Sequence, residues 1–308
     1  MVNRRQCANH LLMIKPVNFF FNTETALSNV FQNCPELSDK EIKNRVTSNF
    51  NKTIDILKKE SIDIDVIDPV LMKDLPDQVF PNNWFQVTHD GKLILFPMYS
   101  KNRRKERLQY IIEHIQRKYQ INEVIDLTFY EKSNLYLEGT GSVVLDHPSM
   151  KAYAVESVRT SKEVFDEYCK VIGYKGIFFN ANDVNGMPIY HTNVLMSIGP
   201  GFSVVCLDLI AESDRKRVYD SIVDTQLELI NIDFSQIERF CGNILTVLGD
   251  SEEHIIVMSE RACKAFSENE LNIISKYARV ICVPVDSIEN IGGGGIRCML
   301  AEIFSLPI

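Results

Sequence analysis

Five short segments of this chain share one signature, a polar or glycine-rich start followed by an apolar run. They are Asn83-Trp84-Phe85-Gln86-Val87, Glu138-Gly139-Thr140-Gly141-Ser142-Val143-Val144-Leu145, His191-Thr192-Asn193-Val194-Leu195-Met196, Cys241-Gly242-Asn243-Ile244-Leu245-Thr246-Val247 and Gly294-Gly295-Ile296-Arg297-Cys298-Met299-Leu300. With Asn83, Glu138, Asn193, Asn243 and Cys298 as markers, the successive intervals are 55, 55, 50 and 55 residues. A fixed period of this kind marks a repeat architecture, whose units bury their apolar faces against their neighbours. Between markers the pattern is a second strand-like run, an amphipathic helix and another strand. The helices are expected over Asn102–Lys118, Lys162–Val171, Ala211–Leu229 and Ser259–Lys276. Strands are expected over Lys92–Phe96, Ala152–Val155, Phe202–Leu207, His254–Met258 and Val280–Val283. A closed ring of five such units leaves no sheet edge bare. The expected fold class is therefore α/β, a five-membered ring of strands with outer helices; a plain mixed α/β sheet with coincidental spacing is the alternative.

No low-complexity linker or charge block divides the sequence, so residues 1–308 are expected to form a single domain. Apolar residues make up 45% and charged residues 24%, which excludes disorder, collagen and coiled coil. Lys and Arg number 33 against 41 Asp and Glu, and a formal charge of -8 would not recruit nucleic acid. The eight cysteines form no C-x-x-C pair, which suits a reducing compartment and predicts free thiols throughout. Near the N-terminus only Leu11-Leu12-Met13-Ile14 is continuously apolar, too short for a signal or a membrane span. A cytoplasmic protein is expected.

A ring places equivalent positions around one axis, so Asn83, Glu138, His191, Asn193 and Cys298 would converge. They supply a nucleophile, a base, a carboxylate and two amides, the inventory of a covalent hydrolase. Cys298 follows four consecutive glycines, Gly292 to Gly295, and precedes Met299-Leu300-Ala301-Glu302-Ile303-Phe304, which reads as a helix. Glycines admit a close ligand, and a cysteine opening a helix lies where the dipole favours thiolate. The other seven cysteines read as small buried hydrophobes. His191 heads an apolar strand; alone it would be read as structural, and its place in the repeat is what makes it a candidate base. Glu138 lies within an apolar stretch, so it is expected to be buried and paired. The remaining histidines lack metal-ligand spacing, so no metal is implied. Neither a dinucleotide-binding glycine motif nor a G-x-x-x-x-G-K-[ST] loop occurs, and no cofactor is expected.

These residues resemble the guanidino-group-modifying, or pentein, enzymes: arginine deiminases, dimethylarginine hydrolases and amidinotransferases. The resemblance rests on Phe80-Pro81-Asn82-Asn83-Trp84, Leu137-Glu138-Gly139-Thr140-Gly141, His191-Thr192-Asn193, Cys241-Gly242-Asn243 and the glycine run to Cys298. Within the group, Lys15-Pro16-Val17-Asn18-Phe19 and Phe21-Asn22-Thr23-Glu24-Thr25-Ala26 are similar to the branch of citrulline-utilisation hydrolases and arginine-deiminase-related proteins. It implies a five-bladed α/β propeller. It also implies that Cys298 is the nucleophile, that His191 protonates the leaving amine and then activates water, and that Glu138 bonds the substrate's nitrogens. Arg159 matches the arginine that holds the α-carboxylate, and Arg103 and Arg104 are looser matches for the same role. Asn22 to Glu24 would either cover the substrate or cap a helix.

One departure bears on the substrate. Arginine deiminases carry aspartates at the positions of Asn83 and Asn193. Breaking a buried ion pair costs about 3 to 5 kcal/mol, whereas a neutral ureido group suits an amide that both donates and accepts. The expectation is thus a C-N hydrolase acting first on a citrulline-like ureido amino acid and second on arginine or a substituted arginine. Amidino transfer to an amine acceptor and a non-catalytic binding module of the same fold are the alternatives. The expected partner is a small-molecule amino-acid substrate; self-association into a homo-oligomer is left open.

Overall fold

The structure is a computed structural model and describes residues 4–69 and 75–304. Its strands form five three-stranded sheets. In each, the middle strand runs antiparallel to the inner strand and parallel to the outer one. Four blades use consecutive chain. They comprise Phe85–Val87, Lys92–Leu95 and Glu123–Asp126; then Val143–Asp146, Lys151–Val155 and Lys175–Phe179; then Met196–Gly199, Phe202–Val205 and Glu228–Asn231; and last Leu245–Leu248, His254–Ser259 and Arg279–Val283. The remaining blade joins both ends of the described chain: Ala301–Ile303 is inner, His10–Ile14 is middle and Asp63–Ile67 is outer.

The inner strands carry no exposed residue, consistent with strands enclosed on both faces. Three neighbouring pairs of inner strands pack on one another, and Gln6 Nε2 bridges one pair by donating to Leu145 O at 2.9 Å and Ile198 O at 3.1 Å. Helices cover the outside. In Lys162–Ile172 the buried side chains are Val164, Phe165, Tyr168 and Cys169, one stripe at helical spacing. Fully burying such a side chain contributes roughly 1.5–3 kcal/mol, so the stripe fixes the helix on its sheet. The fold is the pentein five-bladed propeller.

Several local expectations change. The helix expected over Asn102–Lys118 is two, Lys101–Arg104 and Gln109–Lys118, because buried Arg103 turns back onto Glu106 and Leu108 is extended. That over Ala211–Leu229 ends at Val223; Gln226 adopts φ 61°, and Leu229 lies in an outer strand. Ser259–Lys276 divides into Glu260–Ala265 and Glu268–Ser275, where Phe266 turns inward and Ser267 caps the second helix. After Cys298 the chain makes a strand instead of a helix, since Ala301–Ile303 supplies the missing member of the terminal blade. Two of the expected free thiols, Cys263 and Cys282, form a disulfide: neighbouring helix and outer strand bring their Cα atoms to 6.3 Å, a contact 19 residues apart that spacing alone did not reveal. No helix among the described residues is long and apolar enough to cross a membrane.

Candidate active site

A short turn precedes each inner strand, and the marker residues lie on these turns. They are Pro81–Asn83, Gly139–Ser142, Thr192–Leu195, the bend before Leu245 and Ile296–Met299. Pro81–Asn83 packs against both Gly139–Ser142 and Ile296–Met299, and Gly139–Ser142 packs against Thr192–Leu195. Segments up to some two hundred residues apart thus meet at one end of the axis. The approach is close enough to dictate residue type. Gly139 has φ +49°, and a Cβ there would lie 2.3 Å from the carbonyl oxygen of Asn82.

Cys298, His191, Asn83, Arg103 and Arg159 line one cavity together with Asp77, Thr25, Tyr190 and glycines 292 to 294. His191 Nε2 lies 2.9 Å from Glu138 Oε2, with both side chains buried. Arg159 Nη1 is 3.5 Å from the same oxygen, and the other oxygen accepts the Tyr99 N-H at 3.0 Å. Burial alone would raise the Glu138 carboxyl; Arg159, the His191 hydrogen bond and Arg103 outweigh it and hold the group down at about 2. Burial pushes His191 down to about 4 despite Glu138. At neutral pH the pair is therefore carboxylate and neutral imidazole, so the ring can take a proton.

Cys298 differs from the sequence expectation in its electrostatics. It lies inside a single helical turn followed by a strand, so there is no extended helix to favour thiolate. Burial raises its thiol above the ordinary value, opposed by hydrogen bonds from Asn243 and Asn193 and by Arg297 and Arg103. The resting sulfur is a thiol.

The arginines separate. Arg159 lies in the cavity, with Nη2 donating to Thr25 O at 2.9 Å and to Ser28 Oγ at 2.7 Å. Arg103 is there too, but its Nε and Nη2 each donate to Glu106 at 2.9 Å, and Nη1 donates to Asn83 Oδ1 at 2.7 Å. Arg104 does not line the cavity. Its Nε donates to Met98 O at 2.9 Å and its guanidinium lies over the Tyr136 ring, because the turn after Ser100 points successive side chains to opposite sides. Asn193 faces the sulfur, with Nδ2 at 3.5 Å from Cys298 Sγ. Asn22 caps the helix Thr23–Ala26, accepting the Glu24 N-H at 3.1 Å, and also donates to Asp77 Oδ2 at 2.7 Å.

Sequence reasoning missed Asp77, Glu106 and Asn243. Asp77 is buried, its Oδ1 has no partner, and burial raises its carboxyl against the pull of Arg103. Its neighbours Pro76 and Leu75 lie outside the repeat signature, so no spacing exposed it. Glu106 lay inside an apparently solvated helix; burial pushes it up to about 7. Asn243 was a repeat marker whose chemistry was left unused.

This ring, with a buried cysteine, histidine and carboxylate at one end of its axis, defines a protein of the guanidino-group-modifying class. Residues 15–305 match the family model described as N,N dimethylarginine dimethylhydrolase, eukaryotic. The chain belongs to that family, and with it to the hydrolases of arginine- or citrulline-like compounds. None of the curated proteins matches it in sequence. Among solved structures it is similar to the N-terminal domain of ArgZ, an arginine dihydrolase from cyanobacteria, in a substrate-bound mutant. Identity is 17%, the TM-score is 0.75, and the match covers 97% of this chain and 99% of that one. An AgrE mutant bound to L-arginine matches at 18% identity and TM-score 0.74, over 97% of this chain and 40% of that one. DDAH from Pseudomonas aeruginosa, complexed with citrulline, matches at 16% identity and TM-score 0.67, over 96% and 99%. Likeness at these identities concerns the fold.

Proposed function

We propose that this protein hydrolyses the terminal C-N bond of a guanidino amino acid, arginine or an N-substituted arginine, through a covalent Cys298 intermediate. The observation that carries the reading is the meeting of Cys298 and His191, with Glu138 behind the ring, in a cavity that also presents Asp77, Arg103 and Arg159. Arg159 supplies a planar fork for an α-carboxylate, and the unpartnered Asp77 Oδ1 supplies an acceptor for an α-ammonium group.

Charge supports one substrate type over the other. With all three carboxyls ionised, Asp77, Glu106 and Glu138 set three anions against Arg103 and Arg159, and burial, which raises Asp77 and Glu106, opposes that state until a cation enters. A zwitterion that also carries a guanidinium balances the cavity, and its cation favours ionisation of the Cys298 thiol. As the thiol attacks the guanidino carbon, His191 takes its proton and a C-S bond forms. The tetrahedral adduct expels an amine, which recovers that proton from His191. Water, deprotonated by His191, adds to the resulting isothiouronium; the C-S bond then breaks with its electron pair returning to sulfur. The products are a ureido amino acid and an amine.

A citrulline-like substrate is the second reading, favoured by the amides Asn83 and Asn193. Neither is idle, since Asn83 Oδ1 accepts from Arg103 and Asn193 faces the sulfur. A neutral ureide would also leave one anion unbalanced unless Glu106 or Asp77 takes up a proton. This reverses the order of preference drawn from the sequence.

The test is turnover with arginine, N,N-dimethylarginine and citrulline, reading citrulline plus amine against ornithine plus ammonia. Intact-mass detection of an adduct accompanies it, expected in the native chain and absent in Cys298→Ser. Ornithine from citrulline, with no turnover of the arginines, would establish the second reading. Absence of turnover and adduct with all three would reject both.

A further inference from the structure

Two amide side chains converge on the nucleophile. Asn243 Nδ2 lies 3.4 Å from Cys298 Sγ, and Asn193 Nδ2 lies 3.5 Å from it, with all three residues buried. The orientation of Asn243 is not arbitrary. Its Nδ2 also donates to the backbone carbonyl of Asn193 at 3.0 Å, which leaves its other N-H for the sulfur; the Oδ1 atoms of Asn243 and Asn193 lie farther from Sγ, at 3.8 and 3.9 Å, where they accept from the resting thiol. The glycine run holds the opposite side, where a Cβ on Gly295 would lie 2.6 Å from Asn243 Oδ1. We propose that Asn243 and Asn193 form a two-donor cradle for the Cys298 thiolate, and that Asn243 is a catalytic residue of this site.

The chemistry requires such donors twice. Sulfur gains negative charge when the thiol gives up its proton, and again when the C-S bond of the second adduct breaks and the electron pair returns to it. At a buried sulfur, fixed N-H groups replace the solvation that a thiolate would otherwise have. A carboxylate at position 193 would instead face the sulfur with an acceptor, opposing ionisation. The amide at Asn193 is therefore explained by the nucleophile, without reference to the substrate. The ionisable groups acting on the sulfur are Arg297 and Arg103, which favour thiolate, and Tyr190, with the His191–Glu138 pair across the cavity.

The proposal rests on the nucleophilic role of Cys298 only for its kinetic arm; the alkylation arm needs no substrate. The pH dependence of Cys298 alkylation by iodoacetamide is measured in the full chain, with labelled peptides resolved by mass, for the native protein, Asn243→Ala and Asn243→Asp. The midpoint is expected to rise by about one pH unit in Asn243→Ala, and further in Asn243→Asp, where an acceptor replaces the donor. Turnover should fall about tenfold or more in kcat with KM little changed. A lesion that merely loosened the turn would not rank the two variants in this order. Asn193→Ala and Asn193→Asp repeat the measurement should an Asn243 variant fail to fold. An unchanged midpoint in folded variants, or a lower one in Asn243→Asp, overturns the proposal. Normal midpoint shifts without turnover of any amino acid would instead reject the proposed function and leave the cradle standing.

Discussion

Buried ionisable side chains of both signs are concentrated around Glu138, and their titration makes the site sensitive to acid. The folded chain binds the His191 proton more weakly than the unfolded chain does, since burial lowers the ring from 6.5 to about 4. The stability that neutral His191 contributes is complete above pH 6.5 and is lost as pH falls toward 4. The unfolding free energy from denaturant titrations should fall over that window by about 3 kcal/mol more in the native chain than in His191→Asn. Parallel losses in the two proteins would contradict the buried neutral ring. Arg159→Lys tests the substrate end. It forfeits the fork that now spans Thr25 O and Ser28 Oγ, and KM for an active amino acid should rise ten- to a hundredfold, more than kcat falls. A larger fall in kcat than rise in KM would move Arg159 from holding the carboxylate to the reacting end.

At the scale of elements, the tight turns before the inner strands do the positioning, and their glycines record how closely they touch. A Cβ on Gly141 would lie 2.8 Å from the His191 ring and 2.4 Å from Asn83 Nδ2. Gly141→Ala should therefore cost roughly 1–3 kcal/mol of stability and a larger share of kcat, read by thermal unfolding and steady-state rates. Unaltered kinetics in that variant would mean that the turns can separate without harm. These turns were legible in the sequence because each pairs polar residues with an apolar strand at near-constant spacing. Periodicity also marked the helix at Lys162–Ile172 and four of the five middle strands, but not His10–Ile14. It failed where a tertiary contact overrode local preference. Arg103 and Glu106 look like a solvated helix start until the ion pair is buried, and Met299 to Ile303 look helical until the terminal blade needs a strand. Asp77 sits outside the repeat, so only folding could reveal that it faces Arg103.

On the scale of the whole molecule, the disulfide joins two outer elements and so tests whether the rim of the ring governs the site. Cys263 and Cys282 tie an outer helix to an outer strand across 19 residues, and closing such a loop is worth about 3 kcal/mol. Reduction should lower the unfolding temperature while leaving turnover of the active substrate intact; loss of activity before unfolding would show that the rim does govern the site. Ring closure has a different consequence. The segment carrying Cys298 runs within three residues into Ala301–Ile303, which completes a sheet begun by His10–Ile14. The sulfur is also the last of the proposed reacting groups in chain order, after Glu138 and His191. The turn that presents the sulfur is thus held by a sheet whose other two strands, His10–Ile14 and Asp63–Ile67, come from the opposite end of the described residues. The proposed chemistry therefore waits on ring closure: with that seam open, the sulfur has no fixed place beside His191.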